Sequence, residues 1–336
     1  MDVYGEIKLE SNRIDNIGSQ SHLSRSLRRL VRKKIAVICL VLICIVYGLG
    51  IFAPIVSPYD YSAQDYTSIR QSPSFEMSEG IKGFFTKSHF AGTDRAGRDI
   101  FTRVLWGIQN TLILTFIGMI TGGLVIGVTL GLISGYFGGK IDSLIMRVGE
   151  IFTVIPSFLL VLIITATLKP RIREWVIWVE DNSFLDGLIS SGFIDYLVVS
   201  VALVSFGWYG TARLVRSQIL FLKEAQYIEA ARAIGVSNWG ILFKHLLPNA
   251  LSPIIVTVTM GMGSMVGVEI FLSWVGVGIQ PPRPSLGLML WEGGNISVLR
   301  NQPWMLLAPG IVTWVLMLSW NLLGDAMNDV FNPRTR

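Results

Sequence analysis

Residues 223–249 read KEAQYIEAARAIGVSNWGILFKHLLPN, a polar, charge-bearing interruption in an otherwise apolar C-terminal half. The first limb, 224–234, is built from good helix formers. Ala225, Ala230, Ala231 and Ala233 leave a thin surface for close packing, and Tyr227, Ile228 and Ile234 supply apolar contact. Gly235 stands where a C-cap glycine would end that helix. Ser237 can accept a backbone N–H bond and start a second turn through Trp239, Ile241, Leu242 and Phe243, which Pro248 is expected to close. Two short helices around one glycine, lying between apolar segments, predict a hairpin held at a membrane surface.

Composition points the same way. With 51% hydrophobic and 15% charged residues, the chain falls outside the usual soluble range and inside the integral-membrane range, so a lipid bilayer is the first expected partner. The net charge of +5 needs no nucleic acid: Lys and Arg concentrate near the N-terminus and in 213–244, where they suit cytoplasmic ends of membrane spans. Cys39 and Cys44 both lie in the first apolar run, and the histidines are scattered at 22, 89 and 245, so neither a disulfide framework nor metal-ligand spacing is present.

Along the chain, residues 1–34 read as a cytoplasmic tail, disordered and then a surface helix, ending in Arg25, Arg28, Arg29, Arg32, Lys33 and Lys34. The apolar run 35–56 exceeds the core of a signal peptide and is expected to remain in the membrane as the first span. Residues 57–104 form a polar, proline-bearing external loop. Within it Gly92-Thr93-Asp94-Arg95-Ala96-Gly97-Arg98-Asp99 looks like a turn leading into a capped helix, and its acid spacing does not fit a calcium loop.

Residues 105–330 make a five-span core with spans near 110–134, 144–168, 196–215, 251–278 and 304–323. Gly118, Gly122, Gly123, Gly127, Gly131 and Gly135 would let a neighbouring helix backbone approach, either inside this subunit or across an interface with another. Residues 135–142 predict a tight cytoplasmic turn. They are not a nucleotide loop, because Ser134 and Ile141 occupy the places where a P-loop needs Gly and Ser or Thr. Pro156 predicts a kink in the third span, and 169–195, too often charged to cross, should lie along the external interface. Glu269 sits among apolar neighbours in the fifth span, where a charge costs roughly 2.5–3.5 kcal/mol on insertion scales. It is either a structural anchor between helices or a charge in a translocation path.

At Glu229-Ala230-Ala231, three residues, Gly235, nine residues, then His245-Leu246-Leu247-Pro248, the sequence resembles the EAA loop of permease subunits of binding-protein-dependent ABC importers. His245 replaces the isoleucine of the general pattern, and His-x-x-Pro-Asn is similar to the dipeptide/oligopeptide/nickel branch. Residues 92–99 resemble that branch's Leu-Gly-Thr-Asp-x-x-Gly-Arg-Asp signature, with Ala91 in place of leucine. Gly135-Tyr136-Phe137-Gly138-Gly139, the stretch from Glu269 to Gly278, and the ending with Asp325, Asp329 and Asn332-Pro333 also match.

The resemblance implies an all-α integral membrane fold, the type I ABC importer permease, with six transmembrane helices and a cytoplasmic coupling-helix hairpin. It implies ATPase coupling through Glu229, Ala230, Ala231, Gly235, His245 and Pro248. It implies an external signature of Gly92, Thr93, Asp94, Gly97, Arg98 and Asp99, either a rigid turn or a contact for substrate or binding protein. Its partners would be a second permease, two cytoplasmic ATPases that use the ATP, and an external binding protein, with no cofactor on this chain. The location would be a prokaryotic cytoplasmic (inner) membrane with both termini inside. The expected function is a translocation pathway for di- or oligopeptides, with nickel or another small solute as the alternative cargo. A polytopic membrane enzyme using Glu269 or Asp99 as acid or base is the remote alternative, since no nucleotide fold, metal set or nucleophile grouping is legible.

Overall fold

The computed structural model describes residues 29–74, 89–183, 187, 189 and 191–331. The expectations for residues 1–28 and for Asn332-Pro333 fall outside them. Among the described residues the chain is helical, and its only β pairing is an isolated bridge between Thr93 and Asp99.

The helices are α1 (Lys34–Ile51), the single turn α2 (Ala53–Val56), α3 (Ile100–Phe137), α4 (Gly139–Val154), α5 (Ser157–Asn182) and α6 (Phe193–Leu222). They continue with α7 (Gln226–Ala233), α8 (Asn238–Trp274), α9 (Leu286–Gly293), α10 (Ile296–Asn301) and α11 (Trp304–Phe331). Five of them (α1, α3, α6, α8 and α11) are long and apolar enough to cross a bilayer, and α4 with α5 makes a sixth if that bent pair counts as one span. α1 illustrates why these are membrane helices. Ala36, Cys39, Ile43 and Tyr47 form a buried stripe at helical spacing, yet the opposite face carries exposed Ile38, Val41, Ile45 and Leu49. Only a hydrocarbon surround leaves both faces without a penalty.

The glycines of α3 are used inside the subunit, against α6. A Cβ on Gly122 would lie 3.0 Å from the Val204 backbone, on Gly127 2.8 Å from the Trp208 carbonyl oxygen, and on Gly131 2.6 Å from the Ala212 carbonyl oxygen. Residues Gly118–Val128 of α3 are π-helical, a wider winding that carries this contact face along α6. Of the two expected uses of the stripe, the structure displays the intramolecular one.

Three expectations need correction. The third span is broken, not kinked: α4 and α5 meet at 97°, with Ile155 in extended conformation and Pro156 non-helical between them. The segment after 168 is no separate interfacial stretch, because α5 runs on through Pro170 to Asn182, its Arg, Glu and Trp residues continuing the helix beyond the apolar part. Pro248 does not close a short helix either. Residues Ile241–Leu246 are π-helical and lead directly into the α-helical part of α8, with proline in that part's first turn, where its missing N–H is not needed. The helix that carries the fifth span therefore begins at Asn238, in the hairpin, and Pro253 lies inside it.

Cross-contacts fix which ends lie together. Lys33 Nζ is 2.9 Å from Asp329 Oδ2, joining the start of α1 to the end of α11. Tyr136 at the end of α3 donates to Asn238 at the start of α8. At the other end, Trp304 Nε1 reaches the Thr93 carbonyl at 3.5 Å, Arg95 donates to the Glu292 carbonyl at 3.2 Å, and the Gln280 N–H donates to Asp195 at 3.0 Å. The described ends, the turn at 138–139 and α7 thus share one side, and the described loop residues at 57–74, 89–99 and 275–303 share the other.

Candidate functional site

The hairpin is set by local chemistry. Gly235 has φ +79°, its N–H donates to the Arg232 carbonyl at 3.0 Å, and the Val236 N–H donates to the Ala231 carbonyl at 3.0 Å. These two bonds are a Schellman cap, which satisfies carbonyls that the end of α7 leaves open. Ser237 then caps α8, its Oγ accepting from the Gly240 N–H at 3.2 Å. Ile228 turns inward against Ile241, Leu242 and Leu246, and Ala231 is buried, while Glu229, Ala230, Gly235 and Pro248 are exposed and His245 is half-buried. Outside this cluster, Ile234 is 82% exposed, and Trp239 and Phe243 stack at 5.8 Å with half or more of their surface free. An apolar, aromatic face with a thin alanine ridge therefore projects beyond the ends of the spans.

The external signature is brought together as one compact turn. Asp94 accepts from the Ala96 and Arg98 N–H groups at 2.8 and 3.0 Å, and from Arg98 Nε at 2.7 Å. Asp99 caps α3 through the Thr102 N–H at 2.7 Å, and its other oxygen is 2.9 Å from His89 Nδ1, whose ring stacks on Tyr59. Thr93 Oγ1 donates to the Ser68 carbonyl and accepts from the Gln71 N–H. Gly92 and Gly97 are required by space: a Cβ would meet the Gln71 carbonyl oxygen at 2.5 Å and the Asp65 carbonyl oxygen at 2.0 Å. Hydrogen bonds from Thr67 and Ser68 hold the Asp65 carboxyl down at about 2, so it stays ionised beside this turn.

Sequence reading missed Arg103. The Asp99 cap starts α3 at Ile100, earlier than the expected core boundary at 105, so Arg103 falls in the first turn, 1% exposed. Its guanidinium lies 3.6 Å from Asp94 and makes no hydrogen bond among the described residues. An N-cap Asp followed by Ile100, Val104 and Ile108 at four-residue spacing was the available signal.

Glu269 is fully buried. It accepts from Thr111 Oγ1 of α3 at 2.8 Å and from Ser273 Oγ, one turn on, at 3.0 Å. Near it, Trp320 Nε1 of α11 donates to the Tyr47 hydroxyl of α1 at 3.0 Å.

Two cavities follow α8. One, of about 440 Å³, is bounded by Gln218, Ser252, Thr257 and Asn328 near the hairpin end. The other, of about 300 Å³, is bounded by Met119, Gly207, Thr211, Thr257 and Ser264. Thr257 belongs to both, and no charged side chain borders either.

Residues 127–336 match the family described as binding-protein-dependent transport system inner membrane component. The chain belongs to this family. Residues 21–73 match a second description, the N-terminal TM domain of oligopeptide transport permease C. Among curated relatives of this permease family, the dipeptide transport system permease protein DppC of Alkalihalophilus pseudofirmus is 33% identical over 96% of this chain and 93% of its own length. The oligopeptide transport system permease protein OppC of Bacillus subtilis is 33% identical over 92% of this chain and 88% of its own. The glutathione transport system permease protein GsiD of Pectobacterium atrosepticum is 32% identical over 92% and 90%. The fold is that of a type I importer permease, and the chain is a membrane-spanning transport subunit.

Proposed function

We propose that this chain is one of two different permease subunits of an ATP-driven importer and forms part of a pathway for short peptides. An external binding protein delivers the peptide, and two cytoplasmic ATPases supply the work. The observation that carries the coupling role is the Schellman-capped hairpin, which offers Glu229, Ala230, Ile234, Trp239 and Phe243 outward. A short helix with an apolar ridge is suited to lie in a groove of another protein. His245 and Pro248 lie at the base, where α8 leaves the hairpin. ATP-driven closure of the partner subunits then rocks the spans between inward-open and outward-open states. Relatives named for dipeptides, oligopeptides and the tripeptide glutathione favour peptide over nickel as cargo. ATP is used by the partners, and this chain does no chemistry of its own.

Gly235→Val tests the coupling role. A β-branched residue in the left-handed region costs about 1–2 kcal/mol, and since a Cβ at 235 meets nothing within 4 Å, conformation alone is at stake. The variant is expected to insert and assemble while uptake is lost. Unchanged uptake and substrate-stimulated ATP hydrolysis would reduce the hairpin to a connector.

The side carrying both described ends, the 138–139 turn and the hairpin is assigned to the cytoplasm of a prokaryotic inner membrane, by the Lys and Arg that flank α1 and α6. In a background lacking Cys39 and Cys44, Asn238→Cys is expected to resist an impermeant thiol reagent in intact cells and to react in inverted vesicles. Labelling from outside would invert the topology. The external turn at 92–99 is assigned a bracing role, because its carboxylates are already engaged by Arg98, His89 and backbone N–H groups.

A further inference from the structure

Chain connectivity joins the hairpin to α6 and α8 only. α3 and α4 can feel it only through contacts: apolar ones along the glycine seam with α6 and from Leu132 to the hairpin cluster, and polar ones gathered at residues 134–142. Asp142, in the first turn of α4, is held by Arg216 of α6 in a two-pronged pair, Nε to Oδ1 at 2.5 Å and Nη2 to Oδ2 at 2.6 Å. Ser134, in the last turn of α3, donates to the same carboxylate at 2.5 Å. Lys223, just past the end of α6, reaches the Gly135 carbonyl at 3.4 Å. Tyr136 touches both limbs of the hairpin: its hydroxyl donates to Asn238 Oδ1 at 2.8 Å, and the Arg232 guanidinium lies 5.6 Å above its ring.

α4 has few other holds. Gly149 is its one buried residue, set against the Tyr209 ring, while Leu144, Ile151 and Val154 are exposed. Beyond α4 comes the 97° break at Ile155 and Pro156. Further along, α4 rests on α6, where Gly149 meets the Tyr209 ring and Phe152 lies edge-on to Trp208, so a shift imposed at its start is passed along a braced helix. A planar guanidinium engaging both carboxylate oxygens fixes direction as well as distance, which a single point contact does not.

We infer that the 134–142 turn moves as one body with the coupling hairpin and delivers its displacement to α3 and α4. Asp142, Arg216 and Tyr136 are the positioning residues. This inference rests on the hairpin being the ATPase-coupling element.

The test uses the complete complex of both permeases and both ATPases with the binding protein in proteoliposomes, following uptake of a labelled dipeptide. Asp142→Asn keeps the shape of the side chain and removes its charge. It is expected to lower uptake roughly tenfold, within the range of coupling free energies, while complex yield and ATP hydrolysis persist. The ATP consumed per molecule imported therefore rises by the same factor. The exchange Asp142→Arg with Arg216→Asp is expected to recover much of the loss, which a merely space-filling role would not predict.

If Asp142→Asn fails to assemble, a second experiment decides. Tyr136→Cys with Asn238→Cys, in a background without Cys39 and Cys44, removes the contact between these two residues and is expected to lower uptake, and joining the two cysteines with a short bis-maleimide is expected to restore it. An unchanged ratio of ATP to uptake in Asp142→Asn, or no recovery of uptake on linking, overturns the inference. Should Gly235→Val leave transport intact, the coupling role itself has failed; should Gly235→Val stop transport while Asp142→Asn does not, only the present inference has.

Discussion

Gly131→Leu is expected to leave almost no folded permease. A Cβ at 131 would lie 2.6 Å from the Ala212 carbonyl oxygen and 2.7 Å from Val215 Cβ, so even the first added carbon has no room. Both obstacles belong to α6, one of them its backbone, and neither can rotate away as a flexible side-chain tip can. Gly122, Gly127 and Gly135 lie along the same contact, so parting the helices at 131 loosens the seam in both directions. Overpacking at such a site costs about 3 kcal/mol or more, enough to unfold a marginal protein. Monodisperse yield from detergent extracts measures the effect, with Gly48→Ala as the control, because nothing lies within 4 Å of a Cβ there. Wild-type yield for Gly131→Leu would mean that α3 and α6 do not pack as described.

The second large effect separates two substitutions at Glu269. Its carboxyl joins α3 and α8 through Thr111 and Ser273, and all three side chains are buried. Glu269→Ala leaves both hydroxyls without this acceptor and opens a void, a loss of about 2–4 kcal/mol. Glu269→Gln keeps the size and one acceptor oxygen, and the hydroxyls can rotate to meet its amide. Low complex yield is therefore expected for the alanine variant, and near-normal yield with most uptake for glutamine. The anchor role is the one proposed, since neither cavity along α8 includes Glu269. Full yield with lost uptake in Glu269→Gln would place the carboxylate in the path of the solute instead.

What could be read from the sequence was whatever the chain decides within a few residues. Gly235 and Ser237 bound the break in the hairpin because a left-handed cap and an N-cap are local demands, and Asp99 announced a capped helix for the same reason. Six apolar segments in order were legible from their length. Pro248 misled because proline is a stop signal only where the helix would have used its N–H, and the π-helical winding at 241–246 removes that need. The long continuation of α5 was hidden by its charges, which mark the end of an apolar run and not of a helix. The partner of the glycine stripe and the Asp142–Arg216 pair were not legible. Both depend on helices that meet only after folding, in the second case 74 residues apart.

The two cavities that share Thr257 are walled mainly by apolar side chains, with a few hydroxyls and amides and no fixed charge. If the transport path runs through them, a solute would exchange hydration for apolar surface and a few neutral dipoles. An acidic, a basic and a zwitterionic peptide would then meet the same surroundings in this half of the conduit, with no ion pair to break on leaving. Selection among cargoes would have to be completed before entry, and the membrane step could run at one pace over a broad menu.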